Sequence, residues 1–316
     1  MKYTSAMVDL SIIIVSWNVA DLLAACLDSV FNNLHRSTLD TEVIVVDSAS
    51  SDHSVAMVEN RFPSVQLLAC DENIGFARAN NLGLQHARGR YILLLNPDTE
   101  VTAGALERMV QELETGPQVG AVGPHTLNSD GTTQSTRRRF PTLLTACFES
   151  TWLQPWAPGK LLRDYRVEDR DDDDSFDVDW VQGSALMLRR EVYEEIGGLD
   201  PDYVMYSEEL DWCRRAKAAG WRVRYAGDAV IVHHGGRSSE QAQARSQIHF
   251  QQSKLRYVRI WHGERSARLL RLFLLLMFLH QLLLEAAKGL LGHKRPLRQQ
   301  RVRAYWQVLR SGLRVT

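Results

Sequence analysis

Asn73 to Val101 reads NIGFARANNLGLQHARGRYILLLNPDTEV. After Gly75, residues Phe76 to Ala87 carry apolar side chains at helical spacing. Tyr91 to Leu95 is an unbroken apolar run of strand length, which reads as a strand covered on both faces. That run ends on Asn96-Pro97-Asp98. A carboxylate at the C-terminal edge of a buried strand is poor material for a core. It is good material for a metal or a ligand, and Pro97 stiffens its approach. The other reading is that Asp98 caps a helix starting near Ala103.

The alternation extends to both sides. Strand patterns at Leu10–Val15, Glu42–Asp47 and Val65–Ala69 alternate with helix patterns at Ala20–Leu34 and His53–Arg61, the second capped by Ser50-Ser51-Asp52. A helix over Gly104–Glu114 and a short strand over Val119–Val122 follow Asp98. This order predicts an α/β fold, a Rossmann-like, mostly parallel sheet with helices on both faces. Ligands of such sheets sit at the C-terminal strand ends, where Asp47 and Asp98 fall. Residues 125–140 read as a loop. The pattern dissolves from Leu153 to Asp179, around the charge run Asp169-Arg170-Asp171-Asp172-Asp173-Asp174, which reads as solvated and mobile. Strand sequence returns at Val178–Arg189, followed by helices near Arg190–Ile196 and Glu208–Ala219 and a strand pair over Val223–Val232.

The chain has 316 residues, 45% hydrophobic and 24% charged, which are globular values. Its net charge of −1 hides a segregation. Lys254 to Thr316 holds 14 Lys and Arg against 2 acidic residues, leaving 23 basic against 36 acidic residues before it. Helix patterns run from Gln243 to His262 and from Ala267 to Leu291. In the second, Arg271, Gln281, Glu285 and Lys288 fall on one stripe, and the longest apolar run, Leu272–Leu279, is well short of the ~20 residues of a span. An apolar and basic tail suits the surface of an anionic membrane. Packing on the domain or on a second subunit is the other reading, so a homo-oligomer stays open. Cys26, Cys70, Cys147 and Cys213 form no close pair, which excludes a zinc ribbon or CxxC motif and suggests a reducing compartment. Met1 to Ser5 lacks the apolar core of a signal peptide, so a cytosolic origin is expected.

Two further clusters carry chemistry. Glu208-Glu209-Leu210-Asp211 places three acids at a helix start. The helix dipole favours carboxylates there, and an acid facing a cleft could also serve as a general base. Val232-His233-His234-Gly235-Gly236 sets two histidines at a strand end before flexible glycines, which suits metal or diphosphate; a lone histidine is more often structural.

In order, SIIIVSWNVADLLAACLDSV, VIVVDSASSDHS, NIGFARANNLGL, NPDTEV, VQGSALMLRREVYEEIGGLDPDYVMYSEELDWCRR and VIVHHGG resemble one family. It is glycosyltransferase family 2 with the GT-A fold, in particular the bacterial rhamnosyltransferase-like branch. The resemblance runs from about Leu10 to Ser239. It implies a GT-A domain over 1–240, with a nucleotide-sugar half at about 1–124 and an acceptor half at about 125–240, and a helical region over 241–316.

The family pattern also implies roles. Asp47, with Ser16 and Asn18, would read the base or ribose of a dTDP- or UDP-sugar; Asn73, Gly75, Asn80, Asn81 and Asn96 would shape the donor pocket. Asp98 and His233 would hold Mn²⁺ or Mg²⁺ against the diphosphate. Glu209 would be the catalytic base where the family usually carries Asp, with Asp211 as the fallback. Gly183, Ser184, Glu208 and Arg139 would lie on the acceptor side, and Arg137-Arg138-Arg139 would hold acceptor phosphate or form a solvated basic loop. The implied reaction is an inverting transfer, rhamnose first, to a glycan or lipid-linked acceptor in surface polysaccharide synthesis. It would take place at the inner face of the cell membrane with no nucleic-acid partner. A nucleotidyltransferase is the alternative enzyme, but that class usually has a basic glycine-rich loop after its first strand, and Ser16-Trp17-Asn18-Val19-Ala20-Asp21 has neither glycine nor Lys/Arg. A non-catalytic GT-A-like binding protein is the third reading, favoured only by the Glu-for-Asp change.

Overall fold

The computed structural model describes residues 8–235, 243–292 and 294–314. Strands β1 (Leu10–Ser16), β2 (Thr41–Asp47), β3 (Gln66–Ala69) and β4 (Tyr91–Leu95) pair in parallel in the order β3-β2-β1-β4. Every residue of β1 and β4 is buried, as their lack of polar alternation requires. Helix α1 (Ala20–Leu34) covers one face: Leu23, Leu27 and Val30 join Ile12, Ile14, Val45 and Leu93 in one core. Side chains alternate across a strand, so Ile13 points the other way. It meets α3 (Phe76–His86) at Gly83, where an added Cβ would stand 2.5 Å from Ile13 Cγ2. Glycine there is a requirement of close packing. Helix α2 (Ser54–Arg61) contributes Met57 and Val58 to the α1 side. Its N-cap position is His53, and the expected cap is displaced: Asp52 Oδ1 accepts from Ser54 N at 3.0 Å while Oδ2 accepts from Ala20 N at 3.0 Å, so one carboxylate ties two helix starts together.

Beyond β4 the direction changes. The edge strand β5 (Thr99–Val101) follows Asp98 directly, and helix α4 (Ala105–Thr115) begins after Gly104 at φ 77°. Asp98 therefore does not cap that helix. Strand β6 (Val119–Leu127) runs well past Val122, and β7 (Thr133–Gln134) and β8 (Arg137–Arg138) occupy the segment expected to be a loop. The segment from Leu153 to Asp179 is ordered too, with α6 (Gly159–Arg166) and β9 (Phe176–Val178), and β10 (Trp180–Val181) pairs with β8. The acidic run is wired rather than loose: Asp172 pairs with Arg137 at 2.5 Å, and its carbonyl accepts from Tyr225 Oη at 2.8 Å. Strand β11 (Ala185–Arg189) lies antiparallel between β4 and β6. The expected strand pair near the end is one long strand, β12 (Arg222–His233), parallel to β6 with a bulge between Ala226 and Val230. Its end pairs antiparallel with β5, His233 opposite Thr99. Helices α7 (Arg190–Ile196) and α8 (Glu208–Ala218) stand where the sequence puts them.

The chain divides into two compact units, one of Met1–Phe140, Arg163–Pro201 and Glu208–Ser238, the other of Pro141–Leu162, Asp202–Ser207 and Ser239–Thr316. The second unit thus takes up two pieces of chain from before residue 241. It holds α5 (Leu143–Phe148), α9 (Gln243–His262), α10 (Glu264–Leu290) and α11 (Arg295–Ser311), the last absent from the sequence reading. Ala267, Leu270, Leu274 and Phe278 of α10 are buried. So is part of its polar stripe: Glu285 takes Arg298 Nη1 on both oxygens, at 2.5 and 2.7 Å, and Arg271 Nε donates to Gly312 O at 2.7 Å. The opposite face exposes Leu269, Leu272, Leu276, Leu283 and Leu290, at 56–82%. By length and composition α10 is apolar enough to cross a membrane, with a mean hydropathy of 1.8 over its most apolar 18 residues, which the count of uninterrupted residues does not reveal.

Candidate active site

The C-terminal ends of β1 and β2 meet in register, Ser16 opposite Asp47. Asp47 is 2% exposed; Oδ1 accepts from Ser50 N at 2.8 Å, and Oδ2 has no partner among the described residues. Ser16 Oγ, fully buried, has none either. Asn18 adopts a positive φ of 54°, and its Oδ1 accepts from Ser51 N at 2.7 Å, so its amide oxygen locks the two turns together. Asn73 Oδ1 accepts from Gly75 N at 3.0 Å, and Gly75, at φ 81°, turns the chain into α3. A side chain at that φ would be strained, which explains the glycine. The two asparagines of α3 look elsewhere. Asn80 Nδ2 donates to Phe76 O at 3.0 Å, while Asn81 bonds both ways to the Leu199 backbone, at 2.7 and 2.8 Å. The Asn81 amide thus staples α3 to the Leu199 backbone.

At the end of β4, Asn96 N donates to Ser184 O at 2.9 Å, which sets the Gly183-Ser184 turn against the Asn96-Pro97-Asp98 turn. Asn96 Oδ1 and Ser184 Oγ are both buried and unpartnered among the described residues. Thr99 Oγ1 closes the turn onto Asn96 O at 2.7 Å, and His234 N donates to Asp98 O at 2.9 Å. These bonds bring Asp98 Oδ1 to 3.3 Å from His233 Nε2, both side chains largely buried. His234 turns away and is held by Glu100 Oε1 at 2.7 Å. Of the two imidazoles, that of His233 faces the Asp98 carboxylate, while His234 reaches Asp98 through its backbone. Gln134, which the sequence reading left in a loop, contacts His233 Nδ1 through Oε1 at 2.7 Å. Gly236, Arg237, Ser238 and Ser239, the end of the histidine motif, lie outside the described residues.

Glu208 and Glu209 open α8, after Tyr206 and Ser207 at φ 73° and 66°. Non-glycine residues at positive φ are costly and cluster at functional sites. Glu208 is 4% exposed, and burial first, then the neighbouring Glu209 charge, pushes its carboxyl well above the usual range. Glu209 is half-buried and packs over Gly183, whose added Cβ would be 3.5 Å from Glu209 Cγ. Asp211 is buried in an ion pair, with Arg215 Nε at 2.9 Å. Arg215 in turn holds Ile196 O and Gly198 O at 2.7 Å each. Asp211 thus ties the start of α8 to Arg215 and, through it, to the Ile196 and Gly198 carbonyls. The basic triplet divides as well. Arg137 and Arg138 are buried, Arg137 between the Tyr225 and Phe176 rings at 5.0 and 5.8 Å, so neither is a solvated loop residue or a phosphate ligand. Only Arg139 is exposed.

Unpartnered buried oxygens therefore gather at one edge of the sheet: Ser16 Oγ, Asp47 Oδ2, Asn96 Oδ1 and Ser184 Oγ. Buried polar atoms are normally satisfied, so such a cluster marks where a polar ligand enters. Among the described residues no three His, Cys, Asp or Glu side chains converge as a complete metal set. Asp98 and His233 do fit an oxygen-preferring cation that takes its remaining ligands from phosphate.

The family model of glycosyl transferase family 2 matches residues 11–197, more than half of the chain. An N-acetylglucosaminyl-diphospho-decaprenol L-rhamnosyltransferase of Mycobacterium tuberculosis is 27% identical over 208 residues, covering 62% of this chain and 67% of that protein. A low-salt glycan biosynthesis hexosyltransferase of Haloferax volcanii is 27% identical over 213 residues, covering 66% of this chain and 62% of its own. Among solved structures, a mannosyltransferase of Pyrobaculum calidifontis in complex with GDP-Man and Mn²⁺ superposes with a TM-score of 0.55 at 19% identity, over 98% of this chain and 86% of that one. The fold is GT-A. Since the family match covers the very strands that carry Asp47 and Asp98, the conclusion goes beyond fold: the chain belongs to glycosyl transferase family 2.

Proposed function

We propose that the chain is an inverting, divalent-cation-dependent hexosyltransferase. It moves a sugar, rhamnose first, from a dTDP- or UDP-sugar to a hydroxyl of a lipid-linked or glycan acceptor. Family membership makes it a glycosyltransferase acting in cell-surface polysaccharide synthesis. The observation that carries the finer reading is the Asp98–His233 pair at 3.3 Å beside the unpartnered oxygens of Ser16, Asp47 and Asn96. An imidazole nitrogen beside a carboxylate oxygen there suits a cation, and open acceptors suit the N–H and O–H groups of a nucleoside.

In this reading Asp47 Oδ2 and Ser16 Oγ take the nucleoside end of the donor. Asp98 and His233 would hold Mn²⁺ or Mg²⁺ on the diphosphate, and the bound ion would supply charge stabilisation for the leaving group. Glu209, against Gly183, accepts the proton of the acceptor hydroxyl as its oxygen attacks the anomeric carbon and the bond from that carbon to the diphosphate oxygen breaks. Burial favours neutral Glu208. Arg139 remains for acceptor phosphate. The exposed leucine face of α10, in a basic tail, lies on an anionic membrane and holds the enzyme near a lipid-linked acceptor. The experiment is a thermal-shift panel of nucleotide sugars with and without Mn²⁺. A cognate donor at 100-fold its Kd adds about 2.7 kcal/mol. The Mn²⁺-dependent part should vanish in Asp98→Ala while the metal-free melt survives. No shift with any nucleotide sugar overturns the proposal.

A further inference from the structure

His233 faces Asp98 through Nε2, and its other ring nitrogen faces a chain of hydrogen bonds that has only one consistent direction. The chain starts at Asp130, whose Oδ1 accepts from Thr132 Oγ1 at 2.6 Å and Thr132 N at 3.0 Å. Those bonds hold the Asp130 carboxyl below the usual carboxylate range, so it accepts only. The Thr132 hydroxyl proton is committed to Asp130, and toward Asn128 that oxygen accepts, from Nδ2 at 3.0 Å. Asn128 therefore presents Oδ1 to Gln134, whose Nε2 donates to it at 3.1 Å. The same amide then presents Oε1 to His233 Nδ1 at 2.7 Å, and a carbonyl oxygen cannot donate. The backbone fixes the register: Gln134 on β7 pairs with Thr126 of β6, and Asn128 N donates to Thr132 O at 2.8 Å.

From this relay we infer that Gln134 is the positioning residue of the cation site, holding His233 as the tautomer protonated on Nδ1 so that the Nε2 lone pair points at Asp98. The inference rests on the reading that Asp98 and His233 grip a cation. A ligating imidazole depends on the partner of its other nitrogen for tautomer and aim. In the opposite tautomer Nε2 would carry a proton toward Asp98, and a hydrogen bond would replace the cation.

The test uses the full chain. The His233 tautomer is read from ¹⁵N chemical shifts in metal-free, ¹⁵N-histidine-labelled protein, and Mn²⁺ affinity from electron paramagnetic resonance in the presence of UDP or dTDP. Wild type should show protonated Nδ1 at His233. Gln134→Leu should mix the tautomers and weaken Mn²⁺ about 10–100-fold. Gln134→Glu, which still accepts from Nδ1, should keep the tautomer and most of the affinity. Should Gln134→Leu fold poorly by circular dichroism, Asn128→Leu frees the amide to turn while keeping Gln134, and the same tautomer mixing is expected. An unchanged tautomer and unchanged Mn²⁺ binding in the leucine variants overturn the inference. Failure of the underlying reading looks different: wild type then binds no Mn²⁺ with either nucleotide, even though the tautomer still responds to Gln134.

Discussion

Glu208 and Glu209 are neighbours in one turn with opposite surroundings, one buried and the other packed over a glycine. A general base contributes about 10²–10⁴-fold, so Glu209→Gln should lose transfer by that factor while donor-induced thermal shifts persist. Transfer within tenfold of wild type in that variant would assign the base elsewhere. Glu208 yields a pH prediction. The unfolded chain releases its proton near the ordinary value of about 4.3, whereas the fold retains it to higher pH. The folded state then binds more protons across that window, and Glu208 costs stability as pH rises through it. Glu208→Gln cannot titrate, so its melting temperature relative to wild type should climb from pH 5 to pH 8, with a slope of at most about 1.4 kcal/mol per pH unit. Parallel melting profiles for the two proteins would show that Glu208 is not held neutral. At this scale Asp98, His233 and Glu209 stand out in the sequence because each lies in a short motif. Gln134 does not stand out, because its partner comes from a remote strand, and nothing local tells that Leu199 takes both ends of the Asn81 amide.

Elements were legible wherever one pattern persisted. Helix α1 and strand β4 begin and end where periodicity puts them, because their buried faces are unbroken. The rest of β6 was hidden: Pro124, His125 and Thr126 look like loop residues, yet β12 on one side and β7 on the other bury them. The strand pair expected over Val223–Val232 is one strand, because the chain bulges between Ala226 and Val230 instead of turning back. In α10 the polar stripe was legible and its direction was not. It faces α11, with Glu285 in a buried pair with Arg298. Removing one partner of a buried pair costs about 3–5 kcal/mol, while replacing both with apolar groups is often neutral. Glu285→Ala should therefore lower the urea midpoint of the helical unit sharply, and Glu285→Leu combined with Arg298→Met should recover most of it. Equal loss in the single and double variants would mean that the pair is not the source of the cost.

Charge and apolar surface are segregated along the whole chain, with 12 more basic than acidic residues from Lys254 onward and 13 more acidic than basic before it. Exposed Leu269, Leu272, Leu276, Leu279 and Leu283 of α10 recur every three to four residues on the face opposite its buried Ala267, Leu270, Leu274 and Phe278. An apolar stripe this long on water is unusual in a soluble monomer. Exposed Arg265 and Arg268 stand at one end of it and Lys294 and Arg295 beyond the other, and each basic residue near anionic lipid adds about 1 kcal/mol. In the proposed surface placement of α10, the buried Glu285–Arg298 pair stays within the helical unit and away from lipid. The full chain should float with anionic liposomes, less so in high salt, and weakly with neutral ones. Replacing Leu272, Leu276 and Leu283 by Gln changes exposed side chains only, so the fold should persist while flotation is lost. Flotation that survives the triple change excludes the leucine face as the contact. If that change instead converts a dimer into a monomer on a sizing column without affecting flotation, a second copy of the chain covers the stripe. Wild-type binding that resists both salt and alkaline extraction points to a span, and it predicts that Glu285→Leu with Arg298→Met deepens insertion.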